Sequence, residues 1–408
     1  MSAELSVLIV NYNTWRECAD ALASLRRCPP TRPDGSPMPY EAIVVDNKSP
    51  QQPPDLIARV RQELLAIAAE QQDPACGQLI LHDDNAGYSK GVNLCFHKSR
   101  GRWILVSNPD LVFAPGLIGK LQRHLENDPR AGCVVPKGCW DTALEGRLPP
   151  NTLPTLTDLA WTTLGEFSRT ISRWYGKRLA KGWLRVWAAD RPLALPMMSG
   201  CLFLIERAFF QSIGLMDERY PLYYEDADLS VTIRKAGRTV TQVPDAELVH
   251  LVNRSGLTDP ETMMRRHDVS RRLYFRKWYG RLGTLALDVV QWLLTASWLR
   301  RLRPAPPHRR WQALGPSADK PVLTLPRACD RFLLLMSLDC RFYLAGGLFG
   351  SGASWTPSDA VFANFTYSDY WYQAFDLTAG RFEPIGMWRF SSRRHLGVAC
   401  EDVGSKTP

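Results

Sequence analysis

Leu5 to Asn11 is a continuous apolar run rich in β-branched residues, and Ala42 to Asp46 is a second. Each ends in polar, turn-prone residues, the pattern of strands buried on both faces of a parallel sheet. Between them Thr14 to Arg27 carries Trp15, Ala19, Leu22 and Leu25 at helical spacing, which predicts a βαβ unit. The alternation continues with a helix over Leu56–Glu70, a strand over Leu79–Leu81, a helix over Gly91–Lys98 and a strand over Trp103–Val106. After a looser stretch the sheet resumes at Met198–Ile205. The expected architecture is α/β, a mostly parallel sheet covered by helices, in which ligands bind at the carboxyl ends of the strands.

The polar clusters fall at those ends: Asn11-Tyr12-Asn13, Asp46-Asn47, Asp83-Asp84-Asn85 and Asn108-Pro109-Asp110. Any one of them alone is ordinary turn chemistry. In succession along one edge they outline a cleft.

Beyond the first strands the pattern changes. Residues 153–191 form a basic insert with Trp161, Trp174, Trp183 and Trp187 among arginines and lysines, either an interface for an anionic, partly greasy acceptor or a helical excursion with Trp in its core. Leu282 to Leu299 is the most apolar window and has arginines on both sides. Asp288 and Gln291 near its centre argue against a span, because a carboxylate there costs about 2.5 to 3.5 kcal/mol. An amphipathic helix over 281–303 is expected, lying on a membrane surface or packed on the domain. A Pro/Arg linker over 304–321 follows. Short aromatic and branched segments then suggest a small antiparallel β-sandwich over 322–395, with a tail over 396–408. Its segments are Val322–Leu325, Phe332–Ser337, Phe342–Phe349, Ala360–Phe365, Tyr370–Leu377 and Gly386–Phe390.

Of the 408 residues 45% are hydrophobic, enough for a substantial core. The formal net charge of +9 suits anionic partners, and nothing in the spacing of the arginines demands nucleic acid. Ten cysteines without a C-x-x-C pair, and a start that runs almost directly into a strand, fit reduced thiols in a cytoplasmic protein.

Two groups of residues carry chemistry. Asn108-Pro109-Asp110 aims an amide oxygen and a carboxylate at one spot, which suits a hard divalent cation, Mg²⁺ or Mn²⁺, that also takes phosphate oxygens; His250 is a candidate to close its shell. Tyr223-Tyr224-Glu225-Asp226-Ala227-Asp228 sets three carboxylates within four positions, costly to bury without a task. Glu225 or Asp226 could act as general base toward an incoming hydroxyl, whereas Asp228 suits the first turn of a helix.

Taken in order, Val7-Leu8-Ile9-Val10-Asn11-Tyr12-Asn13, Val44-Val45-Asp46-Asn47-Lys48-Ser49, Asn85-Ala86-Gly87-Tyr88-Ser89-Lys90-Gly91-Val92-Asn93, Asn108-Pro109-Asp110, Ser199-Gly200-Cys201 and Tyr224-Glu225-Asp226-Ala227-Asp228 resemble the motif set of family 2 glycosyltransferases, in their rhamnosyltransferase-like branch. The resemblance covers about the first 255 residues. It implies a GT-A fold over 1–280, an inverting mechanism and a nucleotide-diphosphate sugar donor. It places Asn11 and Asn13 by the nucleotide, Asp46 on the pyrimidine base, and Asp84, Asn85, Gly87 and Asn93 in the loop around the nucleotide sugar. Asn108 and Asp110 take the place of the metal-binding Asp-x-Asp, with His250 at the metal or diphosphate, and Ser199 and Gly200 match the segment under the donor sugar and acceptor. Asp226 matches the catalytic base and Glu225 a supporting or acceptor-binding carboxylate.

The expected reaction is transfer of rhamnose from a dTDP donor to a cell-surface polysaccharide or lipid-linked glycan precursor, with peripheral contact at the inner face of the cytoplasmic membrane. A UDP-hexose donor is the alternative within the class. A sugar nucleotidyltransferase would want a Gly-rich, Lys/Arg-bearing loop where Asn11-Tyr12-Asn13-Thr14 stands. A non-catalytic carbohydrate-binding protein would not need Asp110, Glu225 and Asp226 together.

Overall fold

A computed structural model describes residues 3–85, 87–250, 260–305 and 310–394. Ala86 and the tail expected over 396–408 lie outside the described residues. The chain divides into two compact units. The first comprises residues up to Cys139, Pro150–Phe167 and Arg185–Arg303.

Among the described residues its strands are β1 (Leu5–Asn11), β2 (Tyr40–Asp46), β3 (Gly77–Leu81), β4 (Trp103–Ser107), β5 (Leu111–Val112), β6 (Ala131–Cys139), β7 (Leu193–Leu195), β8 (Leu202–Glu206) and β9 (Thr239–His250). They form one sheet in the order β3-β2-β1-β4-β8-β6-β9-β5, with β7 paired to β9. β3, β2, β1 and β4 run parallel, as the βαβ alternation predicts. β8 then runs antiparallel to both β4 and β6. Parallel pairing returns only between β6 and β9.

The helices are α1 (Trp15–Arg27), α2 (Pro54–Glu70), α3 (Tyr88–Lys98), α4 (Leu117–Asn127), α5 (Leu156–Phe167), α6 (Arg169–Trp187, its residues to Leu184 belonging to the second unit), α7 (Arg207–Ser212), α8 (Glu225–Lys235), α9 (Pro260–Thr295) and α10 (Ser297–Arg300). Strand alternation sorts the core into two layers. Leu5, Val7, Ile9, Val44 and Leu105 pack with Trp15, Leu22, Val60, Leu64 and Leu121 of α1, α2 and α4. Leu8, Val10, Val45 and Val106 pack with Val92, Phe96, Phe210, Leu229 and Ile233 of α3, α7 and α8. Burial on both faces explains why these strands read as unbroken apolar runs.

The second unit joins Trp140–Pro149 and Ser168–Leu184 to the chain from Pro304 onward. Its strands β10 (Gln312–Ser317), β11 (Leu323–Ser337), β12 (Gly346–Trp355), β13 (Ser368–Asp376) and β14 (Glu383–Ser392) form a single sheet in the order β10-β14-β13-β11-β12, with a short helix α11 (Asp359–Phe362). The expected second β-rich domain is thus present, built as one sheet over a core of Trp140, Phe332, Leu334, Tyr372, Trp388 and Phe390. It corrects the expected antiparallel sandwich: among the described residues there is one sheet, β10 pairs parallel to β14, and β11 runs through both Val322–Leu325, from Leu323 on, and Phe332–Ser337. Further details differ from the sequence pattern. Ala360–Phe365 starts as a helical turn because the Ser358 hydroxyl caps Val361 N–H. Part of the expected linker becomes β10, an edge strand with Gly315 and Pro316 at its break in register, where a missing N–H is tolerated.

Candidate active site

The carboxyl ends of β1 and β2 meet at Asp46. Its Oδ1 accepts from Asn11 Nδ2 at 2.8 Å and from the Ser49 hydroxyl, and its Oδ2 from Ser49 N–H at 3.0 Å and Gln52 Nε2 at 3.2 Å. Four donors occupy the lone-pair positions of a carboxylate. The Gln52 side chain is exposed, so its amide is the donor that a pyrimidine N–H could replace. Asn11 is fully buried and its own Oδ1 accepts from Thr14. Asn13 adopts a left-handed φ of 59°, and its buried Oδ1 has no partner. An orphan acceptor at a strand end is a place for a ligand donor.

Asn85 is drawn in from the next loop. Its Oδ1 accepts from Asn47 Nδ2 at 3.1 Å and from Arg266 Nη1 at 3.0 Å. Asp84 is exposed beside it. Gly87, with φ 91°, opens α3, and a Cβ there would stand 2.8 Å from the Pro221 carbonyl. No other residue fits that turn without strain. Asn93 is placed differently from its expected role at the nucleotide sugar. Both its amide protons are spent, on Met216 O at 2.9 Å and Glu218 Oε1 at 3.0 Å, so it secures the segment leading to α8.

Pairing of Leu111 with His250 brings the ends of β5 and β9 together. His250 Nε2 then lies 3.1 Å from Oδ1 of the buried Asp110. Burial opposes the charged imidazole, but the hydrogen bonds it donates to Asp110 and Cys201 outweigh that and hold the pKa up at about 10. Among the described residues no three His, Cys, Asp or Glu side chains form a ready-made metal site. Once an ion displaces the proton that His250 shares with Asp110, the Asn108, Asp110 and His250 set fits one that takes its remaining ligands from diphosphate oxygens and water.

Tyr88 links this corner to the acidic run. Its hydroxyl lies 3.3 Å from Asn108 Oδ1 and 3.4 Å from the Gly200 carbonyl. Burial pushes its pKa far up, and the charges of Glu225, Cys201 and Asp226 add to the effect. Gly200 in turn backs onto Asp226, since a Cβ on it would sit 3.2 Å from Asp226 Cβ. Beside it the Ser199 hydroxyl points to Cys201 Sγ at 3.2 Å.

Tyr223 and Tyr224 both have left-handed φ, 65° and 66°, immediately before α8. Consecutive strained residues at a helix start turn Glu225 and Asp226 inward. Asp226 accepts from Ala227 N–H at 2.8 Å and from Asn151 Nδ2 at 3.3 Å. Glu225 Oε2 is buried without a partner. Burial raises the pKa of both carboxyls, and the neighbouring Asp226 charge raises Glu225 further. The pair therefore takes up a proton more readily than exposed carboxyls do, and the Asp226 charge favours Glu225 as its holder. Asp228 faces away and is structural, bonded by Lys277 Nζ at 2.7 Å, Trp278 Nε1 at 2.8 Å and Tyr220 OH at 3.1 Å.

The structure thus gathers the site residues in two groups, Asp46 and Asn85 at the ends of β1 and β2, and Asn108, Asp110, Gly200, Glu225, Asp226 and His250 about Tyr88. Tyr88, Asn151 and Arg266 join them without having been singled out by the sequence. Tyr88 stood inside a recognised motif, whereas Arg266 lies in a plain Arg265-Arg266-His267 run that offered no signal.

The family model described as glycosyl transferase family 2 matches residues 6–213. The chain belongs to glycosyl transferase family 2. Over 216 residues, 49% of the chain, it is 28% identical to N-acetylglucosaminyl-diphospho-decaprenol L-rhamnosyltransferase of Mycobacterium tuberculosis. The match spans 66% of that relative's length. A shorter stretch of 72 residues, 17% of the chain and 12% of the relative, is 31% identical to human polypeptide N-acetylgalactosaminyltransferase 18. Similar solved structures include a mannosyltransferase from Pyrobaculum calidifontis in complex with GDP-Man and Mn²⁺, with a TM-score of 0.42, 16% identity, and 74% of this chain and 73% of that one covered. GalNAc-T7 with UDP, GalNAc and Mn²⁺ gives a TM-score of 0.44 at 16% identity, covering 73% and 57% of the two chains. The α/β unit is the architecture that the motif resemblance implied, and its β-rich companion is the one the residue pattern beyond it suggested.

Proposed function

We propose that this family 2 glycosyltransferase moves L-rhamnose from dTDP-rhamnose onto a lipid-linked N-acetylglucosaminyl diphosphate acceptor, with inversion at the anomeric carbon. The observation that carries the reading is the meeting, at Tyr88 and Gly200, of the partly buried Glu225–Asp226 pair with the Asn108–Asp110–His250 corner. The rhamnosyltransferase relatives support the choice of sugar and acceptor.

In this reading the acceptor hydroxyl gives its proton to ionised Asp226 as its oxygen attacks the anomeric carbon, and the bond to the diphosphate breaks on the opposite face. Glu225 keeps its own proton and can donate a hydrogen bond to the acceptor sugar. Asn151 holds the Asp226 carboxylate in line. A divalent ion held by Asp110, with Asn108 and His250, would neutralise charge on the departing nucleotide diphosphate. Arg266, at the mouth of the Asn85 loop, adds a fixed positive charge for the same diphosphate. Asp46 receives the base in place of Gln52, and Asn11 and Asn13 line the nucleotide.

Titration calorimetry with dTDP and UDP, each with Mn²⁺, with Mg²⁺ and with EDTA, tests the donor side. Metal-dependent binding that favours dTDP is expected. Preference for UDP would retain the chemistry and replace the donor, and failure to bind either would overturn the site assignment.

A further inference from the structure

Gly280 divides α9 by adopting φ 61° and ψ −145°, a conformation open to glycine alone at little cost. The half before it grips the cleft: Arg266 reaches Asn85, His267 packs on Tyr224, and Lys277 and Trp278 bond Asp228. The half after it does something else. Leu282, Leu285, Val289 and Trp292 recur at helical spacing, continue into Trp298 and Leu302 beyond, and are each between 46% and 72% exposed. Trp292 and Trp298 meet edge to face at 6.4 Å. Opposite this stripe Leu287 and Leu299 are buried, so the helix has an inner apolar seam and an uncovered outer one.

Charge identifies what covers the outer seam. Between Arg271 and Arg303 there are eight Lys or Arg residues and one carboxylate, Asp288, a local excess of +7 within a chain whose total is +9. Arg276, Arg281, Arg300 and Arg301 are exposed around the stripe. Asp288, next to the stripe, is paired with Arg272 at 2.5 Å. A second copy of this face would bring like charge against like. A polyanion without an apolar phase would leave the Trp and Leu side chains in water.

We propose that the segment from Arg281 to Arg303 seats the protein on an anionic lipid bilayer, its apolar stripe at the level of the acyl boundary and its arginines among the headgroups. Among the described residues no helix is long and apolar enough to cross a membrane. The post-kink half of α9, at about 1.5 Å per residue, is about 22 Å long, too short for a hydrocarbon core of roughly 30 Å. It lies in the surface. Because the same helix holds the acidic cluster, seating it fixes the cleft at the interface where the lipid-linked acceptor of the proposed reaction presents its sugar; only this purpose rests on that reading, not the membrane contact itself.

Co-sedimentation of the full chain with vesicles of phosphatidylcholine alone and of phosphatidylcholine with phosphatidylglycerol tests the assignment. Association with the anionic vesicles, weakening with salt, is expected, together with quenching of tryptophan fluorescence by brominated acyl chains. Arg300→Gln with Arg301→Gln should lower partitioning roughly thirtyfold, at about 1 kcal/mol per basic residue. Leu285→Ser with Trp292→Ser should abolish the quenching. Nucleoside diphosphate titration of the same variants reports folding and the catalytic cleft separately, so membrane binding lost with nucleotide binding intact supports the proposal even if dTDP-rhamnose proves the wrong donor. Equal affinity for neutral and anionic vesicles, variants that partition like the wild type, or concentration-dependent self-association that Leu285→Ser abolishes would each overturn it.

Discussion

Replacing Glu225 by Gln should stabilise the protein, and the gain should depend on pH. Glu225 is partly buried, its inward Oε2 lacks a partner, and desolvation with the Asp226 charge pushes its pKa above neutrality. An unfolded Glu titrates near 4.3, and each pH unit from there is worth about 1.4 kcal/mol, so holding the proton at pH 7 costs the fold roughly 3.7 kcal/mol. Local relaxation and water entry reduce such penalties, which leaves about 2 to 3 kcal/mol to be recovered by a neutral amide of the same shape. In a unit of this size that is a rise in melting temperature of roughly 4 to 12 °C. A carboxyl whose folded pKa is raised contributes its full stability below the unfolded pKa and loses it as pH rises toward the folded one. The two proteins should therefore melt together near pH 4 and separate steadily toward pH 8 in thermal melts followed by circular dichroism. Curves that stay parallel across this range would show that Glu225 is not held protonated, and the division of labour within the pair would fail with it.

Asp226→Asn should lower turnover by about a hundredfold to ten-thousandfold while nucleotide binding by calorimetry stays level, since the base acts only on the acceptor. Unchanged turnover would remove Asp226 from the mechanism. Arg266→Gln should weaken nucleoside diphosphate binding roughly tenfold to a hundredfold, the value of a hydrogen bond to a charged group, and nucleoside monophosphate binding much less. Equal losses for the two would assign Arg266 to holding the loop alone. Gly87→Ala forces a Cβ to 2.8 Å from the Pro221 carbonyl at a left-handed φ, and should cost at least about 1 kcal/mol in chemical denaturation and raise the donor KM.

How much of this was legible in the sequence follows from the physics of each element. Strands buried on both faces announce themselves as apolar runs, so β1, β2 and β4 and the polar residues at their ends could be read directly. The antiparallel insertion of β8 between β4 and β6 could not, because strand direction leaves no mark on composition. Asp110 and His250 are far apart in the chain, and only the pairing of β5 with β9 makes them neighbours. The same holds for Arg266, whose position depends on how α9 crosses the Asn85 loop. Asn93 shows the converse, a motif residue whose amide turns out to brace the segment before α8. In the second unit, turn residues and aromatics revealed strands, but the Ser358 cap that makes Asp359–Phe362 helical is a local contest that apolar pattern does not decide.

The central claim is tested most directly by incubating the protein with labelled dTDP-rhamnose and a synthetic N-acetylglucosaminyl diphosphate polyprenol, beside the Asp226→Asn variant. The account predicts a rhamnosylated glycolipid whose new linkage has the anomeric configuration opposite to the donor, formed by the wild type and not by the variant. Equal product from both proteins, or a product that retains the donor configuration, would contradict it.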